Sequence, residues 1–265
     1  MRVIKRFLTR HIGELRNAPR RRTIAAALQT HFSLAAPPVL VQSGSRGQDS
    51  IYRVQQGDKT LGMLRVVNPF RKRKLPPADM PFISVPPAAR VAREMQAYET
   101  GAAAGLTPQP VWHAPDALCC AYLPLAPLHG RFMQQPEKAW AFILPVTAAL
   151  RRLHALGVVH ADVSLANTRA DDALSQIAFV DFEYAPAPHV SAGAARLYDY
   201  LRLVESSWKF IPPSAQAVPQ QWLGMIAAAA RDVEISAADI APLLPALSHL
   251  NDAGVVAQVQ KILPQ

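Results

Sequence analysis

Only two cysteines occur in the 265-residue chain, and they are adjacent, Cys119 and Cys120. Neighbouring thiols have neither the spacing of a disulfide framework nor that of a metal site. Their place in the apolar run Ala117 to Leu123 reads as a core strand, and such sparse use fits a reducing compartment. Long apolar runs are missing too: none approaches the roughly 18–20 residues that a spanning helix needs. The N-terminus lacks the unbroken apolar core of a secretory signal, because Lys5, Arg6 and Arg10 interrupt it. Acidic residues are few beside basic ones, 19 Asp and Glu against 28 Lys and Arg. Internal repeats and low-complexity tracts are likewise missing.

What is present is an ordinary globular composition, 50% hydrophobic and 18% charged, in a chain long enough for one large domain or two lobes. The net charge of +9 is concentrated. Arg2, Lys5, Arg6, Arg10, Arg16, Arg20, Arg21 and Arg22 face a single acid, Glu14, within the first 22 residues, and Arg71-Lys72-Arg73-Lys74 forms a second run. Clusters of this kind favour an anionic partner: a phospholipid or glycolipid surface, nucleotide, or nucleic acid. No aromatic-interleaved pattern supports nucleic acid. Val3, Ile4, Phe7, Leu8, Ile12 and Leu15 recur at helical spacing, so the N-terminus reads as a basic amphipathic helix. Such a helix either lies on an anionic membrane or packs on the neighbouring domain with its basic face in water. An Arg-rich, acid-poor start is also compatible with a transit peptide.

The pattern divides the chain into residues 1–36, a helical extension; 37–123, rich in strands; and 124–265, rich in helices. Ile51–Val54 and Met63–Val67 read as strands joined by a turn at Gln56-Gly57-Asp58, and Val111-Trp112 and Leu118–Tyr122 as further strands. The proline-rich stretch Asn68–Pro87 reads as a loop. Helices are expected over Ala88–Ala104, Pro136–Leu156 with a kink at Pro145, Leu197–Trp208, Gln220–Ala230 and Pro242–Ile262.

One segment carries the chemistry: LRRLHALGVVHADVSLANTRADDALSQIAFVDFEY, from Leu150 to Tyr184. His160-x-Asp162 with Asn167 five residues after the Asp, then an apolar strand ending in Asp181-Phe182, is the order of a phosphoryl-transfer centre. One carboxylate has to orient the substrate hydroxyl, while an amide oxygen and a second carboxylate hold magnesium on the nucleotide phosphates. On these residues the chain resembles the protein-kinase-like superfamily. The Leu-His-x-x-Gly-Val-x-His-x-Asp run and the basic N-terminal half make it most similar to the bacterial lipopolysaccharide-core heptose and Kdo kinases.

That resemblance implies an α+β, two-lobed fold with a strand-rich N-lobe and a helical C-lobe. It implies Asp162 as catalytic base, Asn167 and Asp181 as magnesium ligands, and His160 and Asp199 as structural braces of the catalytic loop. For the nucleotide it implies Gly44 and Gly47 in a glycine-rich loop, Arg65 on the third strand paired with Glu94 on the first long helix, and Tyr122 at the lobe boundary. Arg65 stands where the family carries lysine, and Glu183 where protein kinases carry glycine. The stretch after Asp181 is short and has no Ala-Pro-Glu motif, which points away from peptide substrates. ATP and magnesium are the implied cofactors, and a sugar hydroxyl of a glycolipid the implied acceptor. The expected place is the cytoplasm, peripheral at the inner membrane face. A pseudokinase and a soluble aminoglycoside-like phosphotransferase are the alternatives.

Overall fold

The computed structural model describes residues 13–43, 49–70 and 75–264. Its contacts divide into two compact units, and the class is α+β, one unit rich in strands and the other in helices. The first comprises Met1–Lys74, Pro86–Tyr98 and Pro108–Leu123, and the second Leu75–Val85, Glu99–Thr107 and Pro124–Gln265. Among the described residues no helix is long and apolar enough to cross a membrane.

The first unit is built on five antiparallel strands: β1 (Val39–Gln42), β2 (Ser50–Gln56), β3 (Lys59–Val66), β5 (Pro110–Ala114) and β6 (Ala117–Ala121), in spatial order β1-β2-β3-β6-β5. Period-two alternation decides which face is inside. Tyr52 and Val54 of β2, and Leu64 and Val66 of β3, are fully buried, whereas Arg53 between them is exposed. Helix α1 (Ala18–His31) lays Ile24 and Leu28, one turn apart, onto that face. Each of these two side chains contributes roughly 1.5–3 kcal/mol by leaving water. Proline in the first turn of α1 has no N–H to leave unsatisfied. Gly57, at φ +56°, makes the β2–β3 turn expected from Gln56-Gly57-Asp58.

Several N-terminal basic residues are committed to this unit. Arg20 is ion-paired with Asp116, and the guanidinium groups of Arg16 and Arg21 lie over the rings of Phe70 and Tyr52 at 5.4 and 5.7 Å. Glu14, the one acid of that region, is buried and accepts hydrogen bonds from the hydroxyls of Ser50 and Tyr52 and, at 3.5 Å, from the Asn68 amide. Burial and Glu14 push the Tyr52 phenol up to about 12. The apolar pattern over residues 3–12 lies outside the described residues, as does the 71–74 basic run.

In the second unit, helices α4 (Ala139–Ala155), α5 (Ala192–Trp208) and α6 (Gln220–Asp232) pack together, with α3 (Leu128–Gln134) beside α4. Trp222 of α6 is wholly buried and donates to Thr147 of α4 at 3.2 Å. Helix α4 runs through Pro145, and Gly157, at φ +78°, follows its end. Ser191 caps α5 by accepting from the Ala194 N–H at 2.9 Å. Three strands, β7 (Ala126–Pro127), β8 (Thr168–Ala170) and β9 (Ile177–Phe179), form a small antiparallel sheet.

Two expectations are corrected. The stretch expected as loop contains β4 (Phe82–Ser84), paired antiparallel with β10 (Tyr184–Pro186). Isolated prolines at a strand's flanks mask so short an element. The single helix expected over Pro242–Ile262 is instead a 3-10 helix (Ala237–Ala246), α7 (Ser248–Asp252) and α8 (Val255–Ile262). Pro242 and Pro245 remove amide donors from the first, and Gly254, at φ +71°, interrupts the backbone before α8.

Two predictions follow from the sheet. A Cβ at Gly62 would meet the Cys120 carbonyl oxygen at 2.5 Å and the Cys119 Sγ at 3.0 Å. Gly62→Ala is therefore expected to lower stability by about 1–3 kcal/mol in chemical denaturation. The Cys119 thiol is pushed up to about 12 by burial, and burial likewise raises Cys120. Since raising a thiol's pKa favours the neutral form, neither cysteine should react with iodoacetamide at pH 8.5 until denaturant is added.

Candidate active site

The loop from His160 to Asn167 follows α4, and its first two residues are tied to α5. Asp199, on α5 and with no exposure, accepts from the backbone N–H of His160 (2.8 Å, Oδ2) and of Ala161 (2.8 Å, Oδ1). His154, buried near the end of α4, bridges the Asp199 Oδ2 and the Tyr200 hydroxyl, both at 3.0 Å. The carboxylate thus turns two consecutive loop amides inward, and Ala161 adopts φ +66°. A non-glycine residue in this region costs on the order of 1–3 kcal/mol, which fixed surrounding hydrogen bonds must offset.

His160 makes hydrogen bonds through both ring nitrogens. The Asp162 N–H points at its Nδ1 at 3.3 Å, so that nitrogen is the acceptor, and Nε2–H donates to the Val180 carbonyl at 3.0 Å. Its ring lies against Phe182, centroids 4.3 Å apart. Val180 also donates its N–H to the Asn167 carbonyl at 3.0 Å. One residue before Asp181, the chain is therefore tied to both ends of the 160–167 loop. Asp181 itself adopts φ +74°, the second strained non-glycine residue of the site.

Asp162 and Asn167 are brought together. The Asn167 Nδ2 donates to the Asp162 carbonyl at 3.1 Å and lies 3.4 Å from its Oδ2. With its N–H groups used in this way, Asn167 keeps its amide oxygen as a ligand atom. Burial pushes the Asp162 carboxyl up from its ordinary value and the Asp181 charge adds to this, against the opposing pull of Arg202 and His160. An amide oxygen and one carboxylate are the hard oxygen donors that magnesium takes when phosphates and water complete its shell. Asn167 and Asp181 fit that role; among the described residues there is no cluster of three or more His, Cys, Asp or Glu that would hold a metal unaided.

In the strand-rich unit, Arg65 of β3 reaches Glu94 of helix α2 (Pro87–Ala102), Nε to Oε2 at 3.1 Å. The expected pair is present, with arginine in the cationic place. Asp49 joins it at 3.4 Å from Arg65, and Arg90, one turn before Glu94, grips Asp49 at 2.6 and 2.7 Å. Tyr98 closes the chain of contacts by donating to Glu94 at 2.6 Å. Gly44 and Gly47 lie outside the described residues, and Tyr122 stands exposed just beyond β6.

Sequence reasoning missed Asp49, Arg90, His154 and Arg202. A signal existed for one of them: Arg90 occupies a buried place on the inward stripe of α2 with Val91, Glu94, Ala97 and Tyr98, where a charge needs a partner. Arg202 lies one turn after Asp199 on α5, with its Nη2 3.0 Å and its Nε 3.2 Å from the Asp162 Oδ1.

No family model and no curated protein matches the chain. Among solved structures it is similar to the Rio2 kinase of Chaetomium thermophilum in its ADP, Mg2+ and phosphoaspartate complex. The identity is 15%, the match covers 86% of this chain and 75% of that one, and the TM-score is 0.46. So distant a likeness transfers no activity.

Asp199 offers the direct test of the loop's support. Asp199→Asn replaces one acceptor with a donor facing an N–H in a buried place. A loss of about 3 kcal/mol in chemical denaturation is expected, whereas Asp172→Asn, at a fully exposed side chain, should change stability by less than about 0.5 kcal/mol.

Proposed function

We propose that this chain is a magnesium- and ATP-dependent phosphotransferase of the protein-kinase-like type that acts on an alcohol hydroxyl. The observation that carries the reading is the convergence of Asp162, Asn167 and the Val180-Asp181 segment, stitched to one another and to Asp199. Asp162 accepts or orients the acceptor hydroxyl proton. Asn167 and Asp181 hold the metal, which would neutralise charge on the transferring phosphoryl group. Arg65 and Glu94 serve the nucleotide phosphates, with Gly44, Gly47 and Tyr122 completing that side.

The acceptor we assign is a sugar hydroxyl of an anionic glycolipid such as the lipopolysaccharide core, reached from the cytoplasmic face of the membrane. Its support is the resemblance of the His160 to Asp181 segment, the absence of a long segment after Asp181, and the basic runs over 1–22 and 71–74. Each cation near an anionic surface adds on the order of 1 kcal/mol.

A second reading has its own observation. The Arg65 guanidinium is engaged by both Glu94 and Asp49 and is 13% exposed, so its charge is met within the protein. That arrangement favours a pseudokinase that binds nucleotide without efficient turnover.

The test is ATP consumption with magnesium and purified lipopolysaccharide or its core sugars, followed by detection of a phosphorylated product. Asp162→Ala should lower turnover by at least about 100-fold, with nucleotide affinity by calorimetry changed less than about threefold. Magnesium-dependent ADP binding without ATP consumption on any acceptor would instead favour the pseudokinase. Product formation on an aminoglycoside, with none on glycolipid, would move the acceptor to the soluble class.

A further inference from the structure

A catalytic carboxylate must be held as well as placed. Two oxygens related by rotation about one bond are equivalent until something distinguishes them, and a misplacement of about 1 Å can cost on the order of 100-fold in rate. Within the loop from His160 to Asn167 the sequence is HADVSLAN, with no lysine or arginine. The loop therefore has no permanent cation of its own to oppose the Asp162 charge. That cation comes from another element, α5. Arg202 brings Nη2 to 3.0 Å and Nε to 3.2 Å of a single oxygen, Oδ1.

We propose that Arg202 is a positioning residue for phosphoryl transfer: its forked guanidinium fixes Oδ1 of Asp162 and so presents Oδ2, beside the Asn167 amide, to the acceptor hydroxyl. The inference rests on the phosphotransferase reading. A guanidinium suits the task better than an ammonium, since its N–H groups are fixed in a plane and restrain orientation as well as charge. The Asn167 Nδ2, at 3.4 Å from Oδ2, is too long a contact to set the rotation by itself.

The location on α5 adds rigidity. Asp199 and Arg202 are three residues apart, neighbours on one helical face. The first holds the backbone of His160 and Ala161, and the second holds the side chain of Asp162. Nearly every residue of α5 from Gly193 to Trp208 is buried. Loop backbone and catalytic side chain are thereby referenced to one packed helix, and the side chains of Asp162 and Arg202 retain 25% and 28% exposure, enough for a substrate to reach the carboxylate.

The experiment is a double-mutant cycle on Mg-ATP turnover, with Arg202→Met, Arg202→Lys and Asp162→Asn, and with thermal unfolding measured alongside. Arg202→Met should lower kcat on the order of 100-fold while KM for ATP stays within about twofold. In the Asp162→Asn background the same change should cost less than about threefold, because its route to the reaction is already gone. Arg202→Lys should recover part of the loss, and ethylguanidinium should partly restore Arg202→Ala. Equal losses in the two backgrounds, or wild-type kcat in Arg202→Met, would overturn the inference and leave the phosphotransferase reading standing. A wild-type protein without turnover would overturn both.

Discussion

A carboxylate shut away from water is tolerated only where donors meet its charge, and Asp199 meets its own with two backbone amides and a histidine. The consequence is geometric. Two successive N–H groups aimed at one carboxylate turn the loop over at Ala161, at φ +66°, immediately before Asp162. His160 then closes the other side through the Val180 carbonyl, which sets where Asp181 begins. Strain at Ala161 and Asp181 persists because hydrogen bonds on either side over-determine it. In the strand-rich unit the corresponding device is electrostatic. Arg90, Asp49, Arg65 and Glu94 alternate in sign, so four charges sum to zero and no member is left uncompensated.

How much of this could be read in the sequence depended on how far apart the cooperating residues lie. His160, Asp162, Asn167 and Asp181 fall within about two dozen positions of one another in a fixed order, so the loop that holds the first three and the strand before the last are legible directly, while the roles of these residues rest on the resemblance. Strands β2, β3 and β6 were legible through alternation and the glycine turn, and α4, α5 and α6 through helical spacing. Arg65 and Glu94 were named from resemblance, and their contact is present.

The rest required tertiary structure. Asp49 meets Arg90 across 41 residues and Asp162 meets Arg202 across 40, and nothing in a local pattern encodes such a pairing. The C-terminal stretch is a different kind of miss. Pro242, Pro245 and Gly254 are visible in the chain, and the amide donors the prolines remove, with the positive φ at Gly254, outweigh the apolar periodicity there. Strand β4 escaped because three residues are too few to show a period, and its pairing partner lies a hundred residues away in β10.

The N-terminal arginines bear on how this protein meets its surroundings. Formal charge tallies count every guanidinium alike, yet Arg20 is spent on Asp116, while Arg16 and Arg21 rest on aromatic rings of the same unit. Arg65, Arg90, Arg151 and Arg202 are likewise matched by carboxylates. Because the net charge of +9 already subtracts those carboxylates, the matched arginines add nothing to it, and the attraction a polyanion would feel, with its loss in added salt, comes from the remaining basic residues. The excess of basic over acidic groups, not the total of arginines, sets how strongly a polyanion is drawn to this chain.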